Sequence, residues 1–327
     1  MKNLFKVNLQ LFAGNTNVTG DAGLSVENKT FYDKALIDEA TPLLIHGQFA
    51  QKRNIPRNGG KKIEFRKYAS LGKALTPLTE GVTPNGQKLN ATNIEATVEQ
   101  FGGYVELSDV LDLTAIDKNV VEATRLIGNQ AGITFDTIHR NAMHETTNEF
   151  FAPKADGTAV TTVGGLTDDC VLTVDVVKRV VAWLKKNNAP KIDGSYVAIV
   201  HPFVAYDLMS DPAWIDAHKY ATPENIYEGE IGKIAGVRFV ETSEAKIYAG
   251  GVFGTLILGA NAYGTTEVEG GGLETIVKQL GSAGTNDPLN QRSTVGWKGM
   301  TTAEILVPQY ICKVYSKSKL SAQAEEN

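Results

Sequence analysis

Polar and apolar residues alternate along two stretches in the first third of the chain. Lys62-Ile63-Glu64-Phe65-Arg66 is one and Asn93-Ile94-Glu95-Ala96-Thr97-Val98-Glu99 is the other. A period of two predicts half-buried strands. Residues 57–108 therefore read as a hairpin arm of two long strands, with nothing nearby in the sequence to give either strand a core. About two dozen residues separate the strands, among them Thr76-Pro77, Gly81 and Thr83-Pro84-Asn85-Gly86. Connections this long are uncommon inside compact domains and usually carry a function or lack structure.

A helical period follows. Ile116, Val120, Ala123, Ile127, Ala131, Phe135, Ile138 and Ala142 recur at steps of three or four. That stripe predicts a rod over residues 117–148, roughly 48 Å long at about 1.5 Å per residue. Gly128 and Gly132 lie inside it, each costing about 1 kcal/mol relative to Ala, which suggests close contact with a neighbouring backbone. A second helix is expected over residues 174–187, with Val176, Val177, Val180, Val181 and Leu184 apolar, Thr173 as its cap and Pro190 beyond its end. Tyr196-Val197-Ala198-Ile199-Val200 is a buried strand by its β-branched content. His201-Pro202 opens a further helix with His201 as its cap, and strands are expected at residues 232–240, 254–258 and 301–315.

The two ends are less regular. Phe5, Val7, Leu9 and Leu11 alternate as in an extended arm. One helix is expected from Thr30, with Phe31, Ala35, Leu36 and Ile37 apolar, and a short one from Pro42 to about Gln51. The polar tail, residues 316–327, is expected to lack structure.

Charge sharpens the view of the arm. Residues 57–90 carry seven Lys or Arg against two Glu, a local charge of +5 on a chain of −5, which leaves −10 elsewhere. Lys61, Lys62, Arg66, Lys67, Lys73 and Lys88 are the candidate contact residues, and the expected partner is an acidic face of an identical chain. The acidic total argues against nucleic-acid binding as the main task. Cys170 and Cys312 are the only cysteines, too few for a disulfide framework or a zinc site, and both read as buried hydrophobes. No run of eighteen apolar residues exists, so no membrane span is expected.

Candidate chemistry fails test by test, and neither a cofactor nor catalysis is expected. His144-Glu145 has Asn148 where a helical zinc site needs its second His. His139 and His144 lie five apart and read as polar surface histidines. Gly81-x-x-x-x-Gly86-Gln87-Lys88 is one residue off a phosphate loop and precedes no helix. Asp168-Asp169 and the pair Glu267, Glu269 read as solvated carboxylates. Trp183, Trp214 and Trp297 are scattered as in core packing. Only Asp193, His201 and Asp207 remain for an α/β hydrolase, the least favoured alternative.

The order of parts resembles the major capsid proteins of tailed phages, the Hong Kong 97-type coat fold. The local strings that carry the resemblance are Asn8-Leu9-Gln10-Leu11-Phe12-Ala13, Tyr196-Val197-Ala198-Ile199-Val200-His201-Pro202 with Asp207-Leu208, and Gly232-x-x-x-Gly236-Val237-Arg238-Phe239-Val240-Glu241. The resemblance implies an α+β fold in four parts. These are an N-terminal arm (1–56), an extended hairpin loop (57–108), a peripheral domain (109–165 and 295–327, with the spine helix at 117–148) and an α/β axial domain (166–294). It implies a structural shell protein in the virion, built from pentamers and hexamers of identical subunits. Assembly would take place in the host bacterial cytoplasm, with scaffolding, portal or decoration proteins as partners and packaged double-stranded DNA inside. Some relatives cross-link a loop Lys to a neighbour's Asn, and Lys73 and Lys88 lie in the matching region. Another phage component, of tail or decoration type, is the nearer alternative.

Overall fold

The computed structural model describes residues 45–68, 71–83, 85–114, 119–218, 231–282 and 287–327. The expected arm at residues 5–11, the helix from Thr30 and the start of the helix at Pro42 lie outside the described residues. In chain order the elements are β1 (Gln51–Ile55), β2 (Lys62–Tyr68), β3 (Ala91–Thr97), β4 (Glu99–Ser108), α1 (Asp109–Thr114), α2 (Asn119–His144), β5 (Glu149–Phe151), α3 (Val174–Lys186), β6 (Tyr196–Val200), α4 (Pro202–Met209), α5 (Pro212–His218), β7 (Gly232–Ile234), β8 (Val237–Glu241), β9 (Ile247–Tyr248), β10 (Val252–Leu258), β11 (Tyr263–Val268), β12 (Glu274–Lys278), β13 (Arg292–Ile305) and β14 (Ile311–Ser316).

Two sheets organise the body. In the first, β13 is the shared strand: its front half lies between β12 and β4, and its last residues pair with β11, which in turn pairs with β1. Helix α2 packs across this sheet. Its stripe Ala123, Ile127, Ala131 and Phe135 meets Leu107, Val295 and Trp297, as the sequence period requires. The approach is close: a Cβ on Gly299 would lie 2.6 Å from Phe135 Cζ. Strands β11 and β12 belong to this sheet although they lie in the 166–294 segment expected to form the other unit.

The second sheet runs β5-β14-β10-β6-β8-β7, with β9 on β10. Strand β6 is buried along its whole length because both faces are covered. Tyr196, Ala198 and Val200 face the valines of α3, whereas Val197 and Ile199 face Met143 and Tyr263. Helix α3 begins after Thr173 as expected, but Thr173 makes no side-chain cap. The Val174 N–H donates instead to Asp211 Oδ2 at 2.9 Å. His201 does cap α4, its Nδ1 accepting the Phe203 N–H at 3.1 Å.

Several expectations are corrected. Residues 45–50 form a turn, not a helix, closed by Gln48 N–H to the Ile45 carbonyl. The rod ends at His144 rather than at Asn148, because the Asn148 amide turns to the carbonyls of Pro308 and Ile311 and the chain leaves as β5. The long second strand of the arm is two strands. Val98 separates β3, which pairs with β2, from β4, which pairs with β13. The expected strand 232–240 is a hairpin, turned at Ala235 and Gly236 with φ of 53° and 82°, the left-handed pair that a two-residue turn demands. The strand expected at 254–258 begins at Val252. The expected strand 301–315 breaks after Ile305, where the N–H groups of Leu306 and Val307 both donate to the Ala262 carbonyl and Pro308 opens a 3₁₀ turn. The polar tail is tied down: the Lys319 N–H donates to Asp207 Oδ2, and the Asn327 side chain pairs with the backbone at Ala245 and Ile247.

Candidate interface on the extended loop

The arm has a seat on the body. Strands β2 and β3 pair antiparallel, so Ile63 and Phe65 lie opposite Ala96 and Ile94 on one face. That face closes over Leu306 and Val307 as a small core, with Phe65 and Ala96 almost fully buried. The Arg53 guanidinium stands 5.5 Å from the centre of the Phe65 ring, within the range of a cation–π contact. The expectation of an arm without a core is therefore wrong at its base, because Leu306 reaches it from far along the chain.

The opposite face is polar and exposed. Lys62 Nζ lies 3.1 Å from Glu95 Oε2, and the Asn93 amide donates to Glu64 at 3.0 Å. These contacts separate Glu64 and Glu95, which stand directly opposite each other in the register. On the Phe65 face, half-buried Lys67 reaches Gln309 Oε1 at 3.4 Å. Lys61, Arg66, Lys73 and Lys88 make no ion pair among the described residues and are exposed. The returning strands add Glu95, Glu99 and Glu106, so residues 57–108 carry seven basic against five acidic side chains, a net +2. The basic character belongs to the outgoing strand and the loop, not to the whole arm.

Beyond Tyr68 the two limbs no longer pair as strands. A turn closes Val82 N–H on the Thr79 carbonyl, and Gln87 Nε2 donates to the Gly72 carbonyl across the limbs. Leu75, Leu78 and Leu89 are 81, 76 and 71% exposed. They reach no core of their own chain, and the charge-based reading missed them. The signal was present: three leucines in a Gly-, Pro- and Thr-rich loop with no period to bury them.

Elsewhere the candidate chemistry has structural uses. Asp193 sits in a turn at φ 46°, His201 caps α4, and Asp207 holds the tail. Asp168 pairs with Lys317 at 2.8 Å. Trp214 and Trp297 are buried, and Trp183 packs edge-on to Phe150. Both cysteines are buried and free. His139 and His144 are buried, correcting their reading as surface histidines. Among the described residues no group of three metal-ligating side chains converges, and no helix is long and apolar enough to cross a membrane.

A family model described as phage capsid protein matches residues 92–314. No curated protein matches in sequence. Among solved structures, the capsid of the cyanophage P-SCSP1u is similar with a TM-score of 0.63 at 16% identity, over 83% of this chain and 87% of that one. The capsid of Ralstonia phage GP4 gives 0.64 at 14%, over the same shares. The capsid of cyanophage Pam1 gives 0.61 at 16%, over 86% and 92%. At such identities these likenesses establish the fold, the Hong Kong 97-like one, whereas the family match spans more than half of the sequence. The chain belongs to the phage capsid protein family.

Proposed function

We propose that this capsid protein is the major subunit of a tailed-phage head. Identical copies form pentamers and hexamers that close into an icosahedral shell around packaged double-stranded DNA. The loop at residues 71–90 lies on an adjacent copy. The observation that carries this reading is the projecting loop, with its exposed leucines beside Lys73 and Lys88. Exposed apolar side chains gathered on one projecting segment mark an interaction surface, and a head-to-tail contact of this kind closes into rings when its rotation allows. Scaffolding, portal or decoration proteins are the further partners, and assembly takes place in the host bacterial cytoplasm.

Electron microscopy of the protein, expressed alone and with its phage's other head proteins, tests the proposal. Rings, tubes or icosahedral particles are expected. A compact monomer at high concentration in both preparations would overturn it. Particles of tail or spike geometry would support the alternative of another phage component.

A further inference from the structure

Three of the buried histidines lie where the turn at residues 45–50 meets α2 and both sheets. The Asp136 carboxylate, fully buried, accepts two bonds from one residue: the His46 backbone N–H at 2.7 Å and His46 Nδ1 at 2.6 Å. The Tyr263 hydroxyl donates to the His46 carbonyl. One turn further along α2, His139 Nε2 meets the Thr301 hydroxyl of β13 at 2.9 Å. His144 Nδ1 meets the Tyr248 hydroxyl of β9 at 3.1 Å. His46 Nε2, His139 Nδ1 and His144 Nε2 are all buried without a hydrogen-bond partner. Native proteins rarely leave such groups unsatisfied, and at His139 and His144 an added proton would meet no acceptor.

We propose that this node is a proton-sensitive lock, which holds the turn at residues 45–50 on α2 while His139 and His144 are neutral and releases it when they are protonated. Asp136 is bonded to His46 and lies one helical turn from His139, whereas His144 draws no help from it. Both Asp136 oxygens are taken by His46, so a proton on His139 has only the more distant side of that carboxylate to balance it. The surrounding charges oppose protonation. His139 faces His46 from the turn and Lys52 from β1, with only Asp136 in its favour. His144 faces His46, Lys313 from β14, Arg140 on its own helix and Lys246 ahead of β9. Lys313 is itself held by Glu149 and the His144 carbonyl, and Arg140 by the Glu244 carbonyl. Tyr248 and Tyr263 stay neutral because burial pushes their hydroxyls up.

Burial pushes His139 down to about 4 and His144 well below its ordinary value. In the opened or unfolded chain each titrates near 6.5, the ordinary value for histidine. Between about pH 6.5 and 4 the open state thus binds more protons, and the closed state loses ground as pH falls through that window. Above it the lock is at full strength, and below it the contribution of His139 levels off. His139 shifts the balance toward opening by on the order of 100-fold across the window, and His144 acts in the same direction. The device does not depend on the loop's contacts with other copies.

Hydrogen–deuterium exchange of the full chain at pH 7.5 and 5.0, corrected for intrinsic rates, tests the lock. Wild-type protein should lose protection at residues 45–51 at pH 5.0, while β6 and β10 stay protected. His139→Gln keeps a partner for Thr301 but takes up no proton, and should reduce that loss about tenfold or more. Equal protection at both pH values, or an undiminished loss in His139→Gln, would overturn the proposal. Exchange at the histidine carbon between the ring nitrogens gives a second reading on unaltered protein. A midpoint near 4 for His139 is expected, and a midpoint at or above 6 would sink the idea even if the variant fails to fold.

Discussion

Asp136 shows how much one buried side chain can hold. Replacing it with Ala leaves two buried donors of His46 without an acceptor and removes the only carboxylate of the node. Breaking a buried pair from one side typically costs about 3–5 kcal/mol, so Asp136→Ala should fall by that amount in urea unfolding. An effect below about 1 kcal/mol would mean that solvent reaches the site. At Cys312 burial pushes the thiol up to about 12, so thiolate is scarce at pH 8. Neither Cys312 nor the fully buried Cys170 should react with a thiol reagent in native protein, and both should react in denaturant. The burial of both cysteines was legible from their isolation in the sequence. The burial of His139 and His144 was not, because a helix period treats histidine as polar and gives no hint that His46 and Thr301 come to cover that face.

The elements divide by how locally they are decided. Helix α3 and strand β6 match their sequence patterns closely because each buries a face that its own residues define. Breaks were harder to see. The separation of β3 from β4 at Val98, and of β13 from β14 at Leu306, depends on which strand lies alongside, and the partner is remote in sequence. Gly299 illustrates the close packing of α2 on β13. A methyl there collides with Phe135, and overpacking of this kind costs about 1–3 kcal/mol, which thermal unfolding of Gly299→Ala should show. Phe65→Ala should act locally instead. It empties the small core under the arm, so exchange should rise in β2 and β3 while the second sheet keeps its protection. A uniform loss over the whole chain would mean that the arm and body fold as one unit.

For the whole molecule, the question is what the arm does once the body is folded. Changing Lys61, Lys62, Arg66 and Lys67 to Glu alters exposed or half-exposed positions and should leave the monomer folded by circular dichroism while blocking particle formation. Normal particles with unchanged salt sensitivity would remove the electrostatic part of the reading. Changing Leu75, Leu78 and Leu89 to Ser should block assembly as strongly, since these side chains have no role inside their own chain. Comparing the two variants by sedimentation separates charge from apolar contact. The sequence by itself determined the order of parts, the helix stripes, the buried strand β6 and the projecting loop, because periodicity and composition act over neighbouring residues. Only the tertiary structure decided where the arm is seated, which strands share a sheet and that His46 and His139 come together beside Asp136. Those contacts join residues more than two hundred positions apart, and no local pattern records which distant side chain will displace the water from a given face.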